Sequence, residues 1–324
     1  MESASKLREK IVKIVDIARY APSVHNAQPW KVSVDKNSIR VDVSPSHSLK
    51  FSDPTGRETI ISLGIFSEAL VLGAAAHGFV LKEASLSSGG SVLEFVHSDQ
   101  KIDPAIKGDV RSLKTRCTDR SIFEPVQISA AAVRKIENSS SIKGATVKVV
   151  VDKKIISKIA DLTSRGISLA LGSPDFRREL SGYLTLPWSH SKRGISVLSL
   201  RIPMLLAVME PHFIRWGIGL GEEVKTEKRR WLSASGIIFI TTAGDVKNDW
   251  FQAGRAYLRT ALAAEHLGLA QATSAATVEA STFHEDVEDI LNTKQRLQSA
   301  TRIGRGSNKK IYSPRVSASE LLAT

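Results

Sequence analysis

Three short stretches carry residue types at spacings suited to chemistry rather than to packing. In the first, Ala18-Arg19-Tyr20-Ala21-Pro22-Ser23-Val24-His25-Asn26-Ala27-Gln28-Pro29-Trp30, one hydroxyl and two amides stand between two prolines. Ser23, Asn26 and Gln28 can donate and accept hydrogen bonds, and the prolines stiffen the backbone that carries them. An Asx-type turn leading into a strand would explain Asn26 and Pro29 but not the whole set. In the second, Arg116-Cys117-Thr118-Asp119-Arg120, two guanidinium groups flank a hydroxyl. Such a pair can grip a terminal phosphate, because the guanidinium fork makes paired, charge-assisted hydrogen bonds. A solvated basic turn would read the same way in isolation. The third, Arg302-Ile303-Gly304-Arg305-Gly306 followed by Tyr312-Ser313-Pro314-Arg315, is also basic. Cys117 reads as a packing residue, since no neighbouring base would activate its thiol. The eight histidines form no pair with metal-site spacing, so no metal is expected and no acid–base residue is nominated as catalytic.

The elements that must position these groups follow from periodicity. Leu7 to Arg19 is predicted helical and is stopped by Ala21-Pro22. Trp30–Val34 and Ile39–Val43 read as strands across a turn at Asp35–Ser38. After the turn Asp53-Pro54-Thr55-Gly56, a long apolar helix runs to about His77 and stops at Gly78. Ser85–Ser91 reads as a turn and Val92–Val96 as a strand. A helix is expected over Pro104–Lys114, another from the N-cap Ser129 to about Asn138, and a strand over Thr146–Val151. Lys153 to Arg230 reads as helices broken at Ser173-Pro174, Leu186-Pro187, Ile202-Pro203 and Glu210-Pro211. Gly236–Thr242 is a buried strand, and Asn248–His266 a second long helix.

Gly64 to Phe79 aligns without gaps on Gly254 to Leu269, matching Gly64 with Gly254, Leu72 with Leu262, Ala74 with Ala264 and Gly78 with Gly268. Two such small-residue helices can approach closely, like the mirrored central helices of a homodimer, although two Ala/Leu-rich helices can also match by chance.

A chain of 324 residues with 42% hydrophobic and 24% charged residues can build a core, which excludes global disorder. One cysteine allows no internal disulfide and fits a reducing cytoplasm; no secretory signal is read at Met1–Lys10. Ile60–Leu81 is long enough to span a bilayer, but Glu68 in its middle favours a buried helix of a soluble protein. The net charge of +12 is partly concentrated in an acid-free stretch from Ile290 to Ser319. No nucleic-acid motif accompanies it, so loose polyanion binding is allowed and dedicated nucleic-acid binding is not expected. Gly217-Ile218-Gly219-Leu220-Gly221 lacks dinucleotide-fingerprint spacing, and no P-loop occurs.

Ala21 to Trp30 resembles the A-P-S-x-x-N-x-Q-P-W segment of the nitroreductase family. Arg116 to Arg120 resembles its R-x-S-x-R segment with threonine for serine, and Pro314-Arg315 its P-R ending; Arg305 departs from the usual aromatic or apolar residue. The resemblance implies FMN: amides and hydroxyls for the polar edge of the flavin, apolar cover for its faces, and arginines on the phosphate. In this chain the two family segments come in reversed order, as in the fused, two-lobed branch typified by the mycobacterial Acg proteins. The implied fold is α+β, two fused lobes imitating the family homodimer, divided as 1–105 and 106–324. A lid-like helical insertion is expected near 174–230, with a catalytically idle helical pair as the alternative. One complete pocket per chain is implied, with Arg116, Thr118, Arg120 and Arg315 from one lobe and Pro22, Ser23, Asn26 and Gln28 from the other. The implied activity is ping-pong hydride transfer from NADH or NADPH to an electron-poor small molecule, by a cytoplasmic monomer or homodimer. The rival reading is an FMN-sequestering or storage protein with little reductase activity.

Overall fold

Helix α1 (Ala4–Ala18) opens the computed structural model, which describes residues 4–35 and 38–323. It turns Ile14, Val15 and Ala18 into the core and ends ahead of Pro22. Strands β1 (Trp30–Asp35) and β2 (Ser38–Val43) follow, then helix α2 (Arg57–Ala75) and strands β3 (Phe79–Ser87) and β4 (Gly90–His97). They form an antiparallel sheet in the order β1-β2-β4-β3. Lys36 and Asn37, in the turn expected between β1 and β2, lie outside the described residues. The turn expected over Ser85–Ser91 is shorter than that. Ser85, Leu86 and Ser87 stay in β3 because Val92, Ser91 and Gly90 pair with them across the ladder.

The rest of the chain builds a second antiparallel sheet, ordered β5-β8-β10-β9, from β5 (Ala145–Val150), β8 (Gly236–Thr242), β9 (Ala270–Thr273) and β10 (Arg296–Gly304). Helices α3 (Pro104–Thr115) and α4 (Ala130–Glu137) lead into it, and Ser129 caps α4 as expected. Between β5 and β8 lie α5 (Lys153–Gly172), α6 (Pro174–Tyr183), the short parallel pair β6 (Leu184–Thr185) and β7 (Ile195–Ser196), α7 (Met204–Trp216) and α8 (Leu220–Leu232). Pro211 does not break the helix there. It sits inside α7, which forfeits one backbone hydrogen bond and is held down by buried Ala207 and Ile214. Helices α9 (Lys247–His266), α10 (Ala276–Glu279), α11 (Phe283–Leu291) and α12 (Ala318–Leu321) complete the chain.

The two sheets flank α2 and α9, and those helices cross at the matched glycines. A Cβ on Gly64 would stand 2.1 Å from the Phe251 carbonyl oxygen, and one on Gly254 2.1 Å from that of Ile61. Counting back in the register of the repeat, Ile61 is the counterpart of Phe251. The contact is therefore reciprocal, as at a two-fold dimer interface, here closed within one chain. The apolar character of α2 is spent on this packing. It is the one helix among the described residues long and apolar enough to cross a membrane, and most of it is buried. Glu68 is 1% exposed and is held by Arg255 (2.8 Å) and Arg259 (2.6 Å) of α9, so the buried charge is paired across the crossing.

Beyond β10 the chain returns to the first sheet. Val32 bridges Leu322, and the Ala323 N–H donates to the Val32 carbonyl at 2.7 Å. This arm carries Arg315 across the molecule.

Candidate functional site

The loop between α1 and β1 is locked in a costly backbone conformation. His25, Asn26 and Gln28 have φ of 47°, 54° and 47°, in the left-handed region that side chains other than glycine disfavour. Its neighbours over-determine it. Ser23 Oγ accepts from the Gln28 N–H (2.9 Å), and the Val24 N–H donates to Ser62 Oγ of α2 (3.2 Å). Asn26 joins three segments. Its Nδ2 donates to the carbonyls of Gly194 and Pro314, each at 3.0 Å, and its Oδ1 accepts from Arg315 Nη1 at 2.8 Å.

This loop walls a cavity of about 820 Å³. Pro22, Ser23 and Asn26 line one side, and Arg116, Thr118, Arg120 and Arg315 line the other. The split set expected from sequence is thus brought together, with one correction. Gln28 does not line the cavity: it is fully buried behind the loop, where Nε2 donates to Lys192 O (2.7 Å) and Oε1 accepts from Val316 N–H (3.0 Å). Its amide ties the loop to the insertion and to the returning arm. Asn26 reaches the cavity wall, but its amide is already engaged by protein groups.

The arginines differ in a way that matters chemically. Arg116 is 4% exposed, yet its Nε and Nη1 have no hydrogen-bond partner. Nη1 of Arg302, also in the cavity wall, is buried and unpartnered, as is Nε of Arg315. Burial pushes Arg315 down to about 9, helped by the nearby positive charges of Arg116 and Arg19; Arg302 is pushed down to about 10, again chiefly by burial. Arg120 is lowered for the same reason and donates to Ser199 Oγ at 3.2 Å. Buried N–H donors are normally satisfied. A cluster of cationic donors left open toward one cavity suits an anion with several acceptor oxygens. Arg302 opens the third stretch, but the sequence assigns only Arg315 of that stretch to the pocket, because Arg302 sits inside a strand whose neighbours Ile303 and Gly304 give no sign that it faces a cavity.

The helical insertion crosses onto the loop. Arg193 Nε donates to Ala27 O (2.9 Å), the Gly194 N–H to Asn26 O (3.3 Å), and Glu179 accepts from the Ser52 N–H (2.8 Å). The insertion is thus hydrogen-bonded to the loop, and its Phe176, Leu180 and Ile195 line the cavity. His25, to which no sequence pattern assigns a role, lines the cavity with Nε2 buried and unpartnered, and desolvation lowers it to about 4. This gives a pH dependence of stability. Above pH 6.5 neither state protonates His25. Between 6.5 and about 4 the unfolded chain takes up a proton that the folded chain refuses, so stability falls as pH falls. The loss is at most ~3.5 kcal/mol, because a proton refused across each pH unit of that window costs about 1.4 kcal/mol. His25→Asn, which keeps a residue tolerant of positive φ, is expected to lose less stability than the parent between pH 7.5 and 4.5 in urea unfolding. Equal losses would refute the assignment.

The basic run near the third stretch is engaged in part, while Lys294, Arg305 and Lys309 are exposed. Arg296 pairs with Asp245 (3.1 Å), Lys310 pairs with Glu265, and Arg302 is 1% exposed, which removes much of the motive for polyanion binding. No group of three or more metal-ligating side chains occurs among the described residues.

Residues 2–74, which span α1, the loop and α2, match a family model described as "Putative TM nitroreductase". A Mycobacterium tuberculosis protein named "Putative NAD(P)H nitroreductase" is 35% identical over 74 residues, covering 23% of this chain and 22% of the relative. The first 74 residues are similar to a nitroreductase family. The chain is also 24% identical over 270 residues to an uncharacterized M. tuberculosis protein, covering 79% of this chain and 37% of the relative. It thus spans well under half the length of these two relatives. The FMN-dependent nitroreductase NfnB from Mycobacterium smegmatis, solved with NADPH, superposes with a TM-score of 0.45 at 16% identity, over 67% of this chain and 97% of that one.

Proposed function

We propose that this chain binds FMN in the cavity between its lobes and works as an NAD(P)H-dependent oxidoreductase on electron-poor small molecules. The observation that carries the reading is the set of buried, unpartnered guanidinium N–H groups on Arg116, Arg302 and Arg315 around one cavity. FMN brings a dianionic phosphate with acceptor oxygens for these donors, and when bound it would supply hydride transfer from NADH or NADPH to the acceptor. Arg116, Arg120, Arg315 and the Thr118 hydroxyl would hold the phosphate, with Arg302 behind them. Pro22 and Ser23 would face the ring, and the saturated Asn26 and Gln28 would keep the loop in register with the arm. The insertion would exclude water. The division of the chain near residue 105 belongs to the same proposal: each side gives part of one pocket, and one pocket forms per chain.

A second reading has a specific observation in its favour. The insertion is hydrogen-bonded onto the loop at Ala27, Asn26 and Gln28, a cover that would suit holding flavin more than exchanging substrates over it. Anaerobic mixing of the purified protein with NADPH separates the two. Bleaching of the flavin band supports the oxidoreductase. Bleaching by dithionite alone supports sequestration, and a protein purified without flavin absorbance sinks both.

A further inference from the structure

The cavity has a second polar feature that phosphate binding does not use. At the start of α2, Arg57 is 3% exposed and reaches across to β10, where Nη2 donates to Gln298 O and Oε1, each at 2.6 Å. Its Nη1 donates to two carboxylates at once, Glu58 Oε1 at 2.7 Å and Glu279 Oε1 of α10 at 2.5 Å. Both glutamates line the same cavity as the open arginines, with side chains 16% and 24% exposed. Asp53 adds a third acid nearby, but its carboxylate is spent on the Glu58 and Thr59 N–H groups (3.0 and 2.8 Å) and the Thr59 hydroxyl (2.7 Å). One guanidinium thus holds two acids, with Gln298 as the neutral neighbour from β10. Two carboxylates brought onto one buried donor repel each other, and with the burial of Glu58 this favours its protonated form.

Resting on the oxidoreductase reading, we propose that the Glu58–Glu279 pair, held by Arg57, is the proton donor to the substrate after hydride transfer. An acceptor that has taken a hydride carries an extra electron pair and a negative charge. The Glu58 O–H bond breaks, the proton joins the charged atom, and the bonding electron pair stays on the carboxylate. Bulk water then returns one proton to the pair, so each turnover consumes one hydride from the nicotinamide nucleotide and one proton from solvent. Burial, with Glu279 and Asp53 opposing the effect of Arg57, raises Glu58 to about 7. At neutral pH the group is therefore divided between donor and acceptor forms, the range in which general acids work best.

The test uses the flavin-loaded protein, NADPH and p-nitrobenzoate, together with infrared titration of the protonated-carboxyl band. The parent is expected to show that band titrating near neutral pH and to lose kcat as pH rises through it. Glu58→Gln should abolish the band and lower kcat on the order of 10²-fold, the scale of a lost general acid, with KM for NADPH unchanged. Glu279→Gln, which leaves Glu58 alone with Arg57, should move both the band and the alkaline limb of kcat to lower pH, a displacement that a merely structural role would not produce. A parent without the band, a band that survives in Glu58→Gln, or an unmoved limb in Glu279→Gln overturns the proposal. A protein purified without flavin overturns the oxidoreductase reading and the donor role with it, whereas a yellow, NADPH-bleached protein lacking the band overturns the donor pair alone.

Discussion

Gly254→Ala is expected to destabilise the fold by about 3 kcal/mol or more, because the added methyl lands 2.1 Å from the Ile61 carbonyl oxygen of α2. The neighbouring atoms are backbone, with Gly64 Cα at 3.1 Å as well, so no side chain can swing aside. The helices would have to separate along their crossing, loosening buried Leu63, Phe66, Phe251 and Leu258 together. Alanine's better helix propensity offsets this by only ~1 kcal/mol. Gly64→Ala meets the Phe251 carbonyl at the same 2.1 Å and is expected to behave alike, as the reciprocal contact requires. Gly221→Ala in α8, with nothing within 4 Å of the new methyl, serves as the control and should be neutral or slightly stabilising. Urea unfolding of the three variants decides the matter. If Gly254→Ala matches Gly221→Ala, the α2–α9 crossing is not the structural axis of the molecule.

Arg116→Ala together with Arg315→Ala is expected to weaken FMN retention by about 3–6 kcal/mol, since each removes a charge-assisted hydrogen-bond donor worth roughly 1.5–3 kcal/mol. That corresponds to a rise in Kd on the order of 10²- to 10⁴-fold, enough for the protein to purify largely without colour. The two positions differ in what they do for the protein itself. Arg315 donates to Asn26 Oδ1 and Pro314 O, so its loss also loosens the returning arm. Arg116 has no protein partner on Nε or Nη1, so Arg116→Ala should leave the flavin-free protein as stable as the parent or more so. The decisive pair of measurements is flavin content and flavin-free Tm of the Arg116 single variant. Full flavin retention would remove Arg116 from the phosphate grip, and a large fall in Tm would make its role structural.

The groups that face the cavity are legible in the sequence to the extent that local geometry alone places them. Pro22 and Ser23 sit on a proline-bracketed loop, and Arg116, Thr118 and Arg120 alternate on an extended segment that presents them together. The long helices are legible for a similar reason: periodicity, the N-cap Ser129 and the stop at Gly78 are all set within a few residues. Where the signal depends on distant partners, the sequence is silent or misleading. β10 reads Arg-Leu-Gln-Ser-Ala-Thr-Arg-Ile-Gly, without alternation, because it is buried almost throughout and its polar members find partners far along the chain. Gln298 meets Arg57, and Arg302 donates to Asp119 O. Gln28 and Asn26 carry amides that could serve a ligand or the fold with equal ease. Only the arrival of Lys192, Gly194 and Val316 decides that Gln28 serves the fold and that the Asn26 amide is spent on it.

The two small-residue helices, the proline-bracketed loop and the arginine pair around Thr118 are written in neighbouring residues, so the amino-acid order suffices to specify them. That Gly64 and Gly254 meet, that the insertion closes over the loop, and that Glu58 and Glu279 share Arg57 emerge only when the chain packs. Those contacts join residues more than 160 positions apart or depend on the cavity around them, and no local pattern specifies which distant backbone will fill a gap left by a missing side chain.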